Sequence, residues 1–322
     1  CKNNPNIMRN IKLIEVRSEI GAGTRGASLG IDAIKIAALD FMSNFFVNFP
    51  SEVIPDQNNL LYEPVASPYA KRIHGVHTMY ERVSTAVSDT IKSGIFPVVF
   101  AGDHSTAGGT IAGIKMANPK RRLGVIWIDA HADMHTPYTS PSGNMHGMPL
   151  ATALGVDNLE CKVHNPDPKT VDYWNKLKGL GKIQPKINPE DLVFIALRDY
   201  EKEEEALLKK MGIKIVTVQE VRRKGIENVV RQTLAHLSKC EDIYVSFDVD
   251  SLDSSISRGT GTPVSNGLKE REAEDLIAAL MQNYKICCIE IVEVNPTLDK
   301  ENLMAEIAFN IIRRAVNILL LN

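Results

Sequence analysis

Gly124-Val-Ile-Trp-Ile-Asp-Ala-His-Ala-Asp133 is the stretch whose reading decides the fold. Gly124–Ile128 is apolar throughout, the pattern of a parallel strand covered on both faces. The chemistry then changes abruptly. Asp129, His131 and Asp133 are all residue types that hold metal ions, set at alternate positions. Alternate residues of extended chain point to one side, so the three are predicted to converge on one spot. Unpaired, they would suffer like-charge repulsion and desolvation, a penalty that a bound cation removes.

The same sequence of apolar strand and then acid recurs along the chain. Lys12–Val16, Pro97–Gly102, Leu192–Leu197, Lys214–Val218, Ile243–Phe247 and Cys287–Val292 also read as strands. Arg72–Ser93, Glu201–Met211, Ile226–Leu237, Lys269–Met281 and a last segment, about Ala305–Leu320, carry apolar residues at helical spacing. Alternation at this rhythm predicts an α/β fold with one open, mostly parallel sheet and helices on both sides. Asp157–Asp191, rich in Pro, Asn, Lys and Gly, reads as a long surface excursion, and residues 1–322 as a single domain without repeats.

Ligands of open α/β sheets bind at the carboxyl ends of the strands. There Pro97–Gly102 runs into Asp103-His104, Ile243–Phe247 into Asp248-Val-Asp250, and Cys287–Val292 into Glu293. Alone, Asp103-His104 could be a helix N-cap beside an ordinary loop histidine, and Asp248 with Asp250 could be solvated turn carboxylates. Together the ends supply His104, Asp129, His131, Asp133, Asp248 and Asp250. That set is too large for one tetrahedral zinc and holds no thiolate. It suits a harder, higher-coordinate ion such as Mn²⁺, with one imidazole for each of two metals. Two ions ~3.5–4 Å apart can share a bridging hydroxide and lower its pKa toward neutrality.

Bulk composition narrows the function classes. Lys plus Arg (37) nearly balances Asp plus Glu (39), which argues against a nucleic-acid binder and against adhesion to anionic membranes. No apolar stretch approaches the ~18–20 residues needed to span a bilayer. The five scattered cysteines form no CxxC pair and read as buried thiols of a reducing compartment. The expected location is the cytoplasm; no signal peptide is visible, although a start at Cys1 leaves a removed leader open.

In order and spacing, Ala101-Gly-Asp-His-Ser105, Trp127–Asp133, Ser142-Gly-Asn-Met-His-Gly-Met-Pro149, Ser246-Phe-Asp-Val-Asp-Ser-Leu-Asp253, Gly261-Thr-Pro263 and Glu293-Val-Asn-Pro296 resemble the ureohydrolase family, most of all its arginases. The resemblance runs from Gly21–Gly30 to the final helix. It implies a three-layer α/β/α domain with an eight-stranded parallel sheet, two Mn²⁺ per chain (or Co²⁺ or another divalent ion), a small guanidino substrate, and a homo-oligomer, trimer or hexamer.

By that resemblance one metal would be held by His104, Asp129, Asp133 and Asp248, and the other by Asp129, His131, Asp248 and Asp250. Asp133 would also steady the bridging hydroxide. Glu293 would pair with the guanidinium, whose fork of N–H donors suits a carboxylate, and His146 would act as proton shuttle or general acid. Ser140, Ser142, Asn144 and Thr262 would line the substrate site, with Asp199, Glu201 and Glu204 near an α-amine. Three positions depart from the arginase pattern: His135 stands where an Asn is usual, Glu201 where an Asp is usual, and Ala101 where a glycine usually precedes Gly-Asp-His. Arginine is the expected substrate, giving ornithine and urea. The alternatives are agmatine, guanidinobutyrate or formiminoglutamate and, more remotely, the chemistry of zinc deacetylases.

Overall fold

The computed structural model describes residues 10–321. Eight strands form its centre: Ile11–Val16 (β1), Ser51–Ile54 (β2), Phe96–Ala101 (β3), Leu123–Ile128 (β4), Leu192–Ile195 (β5), Lys214–Val216 (β6), Asp242–Asp248 (β7) and Ile286–Val292 (β8). They make one sheet in the order β2-β1-β3-β8-β7-β4-β5-β6, with every neighbouring pair parallel. The helices are Gly30–Asp40 (α1), Phe45–Asn48 (α2), Ile73–Lys92 (α3), Ala107–Ala117 (α4), Pro149–Leu154 (α5), Pro168–Lys178 (α6), Lys202–Met211 (α7), Val218–Lys224 (α8), Ile226–His236 (α9), Glu270–Met281 (α10) and Leu303–Leu321 (α11).

Strand alternation divides the core into two layers. Phe96, Val98 and Phe100 of β3, with Ile126 and Ile128 of β4, pack among apolar residues of α1, α8, α9, α10 and α11. Val99 and Ala101, with Val125 and Trp127, pack instead among those of α3, α4, α5, α6 and α7. A strand buried on both faces carries few polar side chains, which is why these two runs read as continuous apolar stretches.

Two local expectations need correction. β2 has no counterpart among the strands read from sequence: it is short, lies at the sheet edge, and exposes Ser51 and Val53, so its apolar signal is weak. Asp157–Asp191 is not a surface excursion throughout, because it contains α6, which buries Trp174 and Leu177 completely. Its start signals are ordinary ones: Asp167 accepts N–H bonds from Lys169 and Thr170 at 3.0 Å each, and Pro168 opens the first turn. The thiols are mixed. Cys240 and Cys288 are buried, Cys161 and Cys287 partly exposed, and Cys1 lies outside the described residues. No helix among the described residues is long and apolar enough to cross a membrane.

The topology places the site. Between β3 and β4 the chain skips two strand positions, later filled by β8 and β7. This is the switch point at which open sheets leave a crevice. The carboxyl ends of these four adjacent strands lead directly into His104, Glu293, Asp248 and Asp129.

Candidate metal centre and active site

His104 is aimed by what precedes it. After β3, Asp103 does act as a cap, its Oδ1 accepting the Ser105 N–H at 2.8 Å while Oδ2 accepts that of Gly21 at 2.8 Å. The turn so fixed swings the next side chain inward. The His104 ring stacks on Trp127 of β4, with centroids 4.1 Å apart and planes within 6°. Its Nε2 lies 2.7 Å from Ser246 Oγ of β7. The other nitrogen, Nδ1, therefore faces three carboxylate oxygens, the Oδ2 atoms of Asp129, Asp133 and Asp248, each at 3.1 Å.

The second imidazole lies across Asp129. His131 Nδ1 is 2.9 Å from Asp250 Oδ2 and 3.6 Å from Asp129 Oδ1. Backbone N–H groups hold the remaining oxygens: Asp129 Oδ1 accepts from His131 at 2.7 Å, Asp248 Oδ1 from Asp250 at 2.8 Å, and Asp250 Oδ1 from Ala130 at 3.1 Å. His104, Asp129 and Asp248 form one group with the spacing of a cation site, and Asp129, His131 and Asp250 form another. Asp129 belongs to both.

The donor set has the chemistry of a cation site. His104 Nδ1 and Asp129 Oδ2 are buried and, despite their 3.1 Å approach, lack a hydrogen-bond partner. Such orphans cost about 1–3 kcal/mol each, more when charged. Burial, followed by the charges of Asp250 and Asp129, pushes the Asp248 pKa well above the carboxylate range. Burial and then Asp129 push Asp250 up to about 6. Burial opposes charge on Asp129 too, but His104 and His131 outweigh it and hold this carboxyl below its ordinary value. The alternative of solvated turn carboxylates fails, since Asp248 and Asp250 are each only 2% exposed.

Convergence is reached by a different route from strand alternation. β4 ends at Ile128, and Asp129–Asp133 is a bent loop in which Asp133 takes φ 51°. Glu293, directly after β8, takes φ 66°. Left-handed backbone at non-glycine residues is strained and persists where the surroundings enforce it, typically at functional sites.

Glu293 and His146 form the neighbouring pair. Glu293 Oε1 accepts the His104 N–H at 2.9 Å and lies 3.0 Å from His146 Nδ1. Burial opposes charge on His146, but Glu293 prevails and raises its pKa to about 9. Burial likewise opposes the Glu293 carboxylate, yet the His146 contact keeps its pKa below the ordinary value.

One cavity of about 400 Å³ collects every predicted site residue except Asp129 and Glu293, which are not part of its lining. At one side His135 Nε2 is 2.9 Å from Glu201 Oε2 and 3.4 Å from Glu204 Oε2. Glu204 is almost fully buried, and burial is the main reason its pKa rises to about 8. Ser140 Oγ accepts the Gly143 N–H, and Ser142 Oγ accepts that of Asn144. Asn144 Oδ1 accepts from Lys71 at 3.1 Å, while Thr262 Oγ1 donates to Asp250 at 3.2 Å. Asp199 Oδ2 lies 3.6 Å from His131 Nε2, which ties it to the metal-type cluster.

Sequence reading missed four supports: Trp127 and Ser246 around His104, Lys71 behind Asn144, and Arg198. The guanidinium of Arg198 donates to the carbonyls of Ala196, Asp250, Leu252, Val264 and Ser265, stitching the Asp250 turn to its neighbours. Trp127 and Ser246 are paired in register across β4 and β7, a signal that appears only once the strands are aligned.

Comparison with known proteins places this site in context. A family model described as the arginase family matches residues 9–317. The chain is 35% identical to an arginase of Brevibacillus brevis over 312 residues, covering 93% of this chain and 95% of the relative. It is 36% identical to an arginase of Bacillus caldovelox over 313 residues, covering 94% and 96%. The native structure of an arginase from Bacillus caldovelox superposes with a TM-score of 0.82 at 35% identity, covering 96% of this chain and 98% of that one.

Proposed function

The chain belongs to the arginase family, and from that premise we propose that it is an arginase, a metal-dependent hydrolase that converts L-arginine and water into L-ornithine and urea. The observation that carries the reading is the unpartnered His104 Nδ1 facing three buried carboxylate oxygens at 3.1 Å. His104, Asp129, Asp133 and Asp248 would hold one cation, and Asp129, His131, Asp248 and Asp250 the other. Two imidazoles among four carboxylates favour Mn²⁺, with Co²⁺ as an alternative. When bound, such a pair supplies Lewis acidity and a water ionised near neutral pH.

The chain's own residues would do the rest. Glu293, buried and held below the usual carboxylate pKa, offers a carboxylate that matches the planar fork of a guanidinium. Asp133, beside His104, can accept a hydrogen bond from the attacking oxygen. His146, protonated through neutral pH by virtue of Glu293, would supply a proton to the departing amine. The balance closes: water adds to the guanidinium carbon, the bond to the alkyl nitrogen breaks, and a protonated amine leaves with neutral urea. The reading also includes a single domain, a cytoplasmic location and a homo-oligomer, trimer or hexamer.

One observation favours a second reading, a sister ureohydrolase acting on agmatine, which carries no carboxylate. His135 Nε2 is engaged by Glu201 and Glu204 and does not face the cavity as a free donor for a substrate carboxylate. Urea release by the Mn²⁺-loaded protein from L-arginine, agmatine and 4-guanidinobutyrate, with His135→Asn in parallel, separates the two. Clear preference for a substrate other than arginine would overturn the first reading and leave hydrolysis of a guanidino group standing.

A further inference from the structure

Behind the metal-type cluster lies a buried acid that the chemistry above does not use. Glu290 of β8 is 0% exposed, burial raises its pKa, and Thr110 of α4 lies beside it. Its Oε2 accepts the Tyr244 hydroxyl at 2.6 Å, and Tyr244 is also fully buried. Burying a carboxyl costs stability that an apolar residue would not cost. The placement is informative. Glu290 lies opposite Ser246 in the β7–β8 register, and Ser246 is the residue whose Oγ touches His104 Nε2. Tyr244 and Ser246 share a face of β7, and hydrogen bonding from Ser246 is among the influences on the Tyr244 hydroxyl.

We propose that Tyr244 and Glu290 are positioning residues that, through Ser246, keep a proton on His104 Nε2 and so present Nδ1 as a lone pair for a cation. The proposal rests on reading His104 as a metal ligand. The directions of the bonds leave little freedom. Tyr244 spends its single proton on Glu290 Oε2, so its oxygen is left to accept from Ser246. Ser246, having donated to Tyr244, can only accept from His104 Nε2. Without this chain the ring proton would settle on Nδ1, where three carboxylates attract it and where it blocks a cation. An imidazole's second nitrogen commonly sets ligand orientation in this way, with an acceptor beyond it. Here the acceptor is reached through two hydroxyls.

Glu290→Gln is the decisive substitution. It keeps the shape but lets an amide N–H point at Tyr244, so the whole chain can run backwards. Calorimetric titration of metal-free protein with Mn²⁺ should show two uptake steps in the wild type. In Glu290→Gln the step belonging to the His104 group should weaken roughly 10- to 100-fold, the usual range for such outer partners. The other step should stay within about 2-fold, and the melting temperature of the metal-free protein should not fall. Tyr244→Phe should weaken the same step. The double variant should be no weaker than the worse single one, because both act through one chain. In Zn²⁺-loaded protein labelled with ¹⁵N-histidine, the His104 Nε2–H should exchange slowly with solvent, and faster in either variant. Mn²⁺ uptake by both single variants equal to wild type would overturn the proposal while leaving the metal centre intact. Equal loss of both steps with a lowered melting temperature would overturn it as well, by showing a merely structural role. A wild type that takes up no Mn²⁺ would overturn the metal reading itself and this proposal with it.

Discussion

Glu293 Oε1 lies 3.0 Å from His146 Nδ1, and the same oxygen accepts the backbone N–H of His104 at 2.9 Å. One carboxylate thus links the turn that aims the first imidazole to the group cast as proton donor. In the free protein it is already occupied by a cationic partner, so an incoming guanidinium must share or replace that contact. Both partners follow from position. Glu293 is held at the end of a central strand by strained backbone, and His146 by its N–H bond to the Gly21 carbonyl at 3.1 Å.

The pair sets a pH window. His146 has a raised folded pKa, so its contribution to stability is full below 6.5 and is lost as pH rises through about 9. Glu293 has a depressed one, so its contribution is present above 4.5 and lost as pH falls below that. In metal-free protein, NMR titration of the His146 ring should give a midpoint near 9, moving well down in Glu293→Gln, where burial opposes the charge without its main counterweight. A wild-type midpoint near 6.5 would refute the pairing. His146→Asn should lower kcat of the Mn²⁺-loaded enzyme by on the order of 10²-fold.

Asp248→Asn should separate stability from metal binding. Burial and the neighbouring Asp250 and Asp129 carboxylates make a charge at Asp248 costly in the metal-free protein. The neutral amide should therefore raise the metal-free melting temperature, because its oxygen can still accept the Asp250 N–H. Mn²⁺ at about 100 times its Kd should stabilise the wild type by about 2.7 kcal/mol. The variant should gain far less. Equal gains in thermal scans with and without Mn²⁺ would remove Asp248 from the ligand set.

At the cavity side, Glu201→Gln withdraws the carboxylate closest to His135. If Glu201 contacts an α-amine, KM for arginine should rise roughly 10-fold with kcat little changed, the signature of lost uniform binding. KM for guanidinobutyrate, which has no amine, should stay near its wild-type value. Equal rises for both substrates would assign Glu201 to holding His135 alone.

Arg198→Met is expected to act at a distance from any substrate. It leaves the carbonyls of Asp250, Leu252, Val264 and Ser265 without their donor, at a cost of about 3 kcal/mol or more. Urea denaturation should report that loss. Mn²⁺ uptake should weaken as the Asp250 turn loosens, and Arg198→Lys should recover little, since an ammonium cannot span the same acceptors.

Most of the parallel sheet, and the crowd of Asp and His side chains at its carboxyl ends, is legible in the sequence alone. Strands buried on both faces are mostly apolar, so most of them, β4 above all, stand out without any knowledge of their neighbours. The acids that follow them stand out because so many carboxylates, crowded at the ends of apolar strands, would repel one another without a cation between them. The short edge strand β2 and the helix α6 were harder to see, the first because half its residues face solvent, the second because Pro and Gly surround it. How these side chains are held is visible only in the folded structure. The stacking of Trp127 on His104, the Ser246 contact to Nε2, the left-handed turn at Asp133 and the Arg198 clasp all depend on packing around the site, most of it between residues far apart in the chain. Local periodicity carries no record of which strand lies beside which, and a proton on one ring nitrogen is placed by neighbours that only the folded sheet supplies.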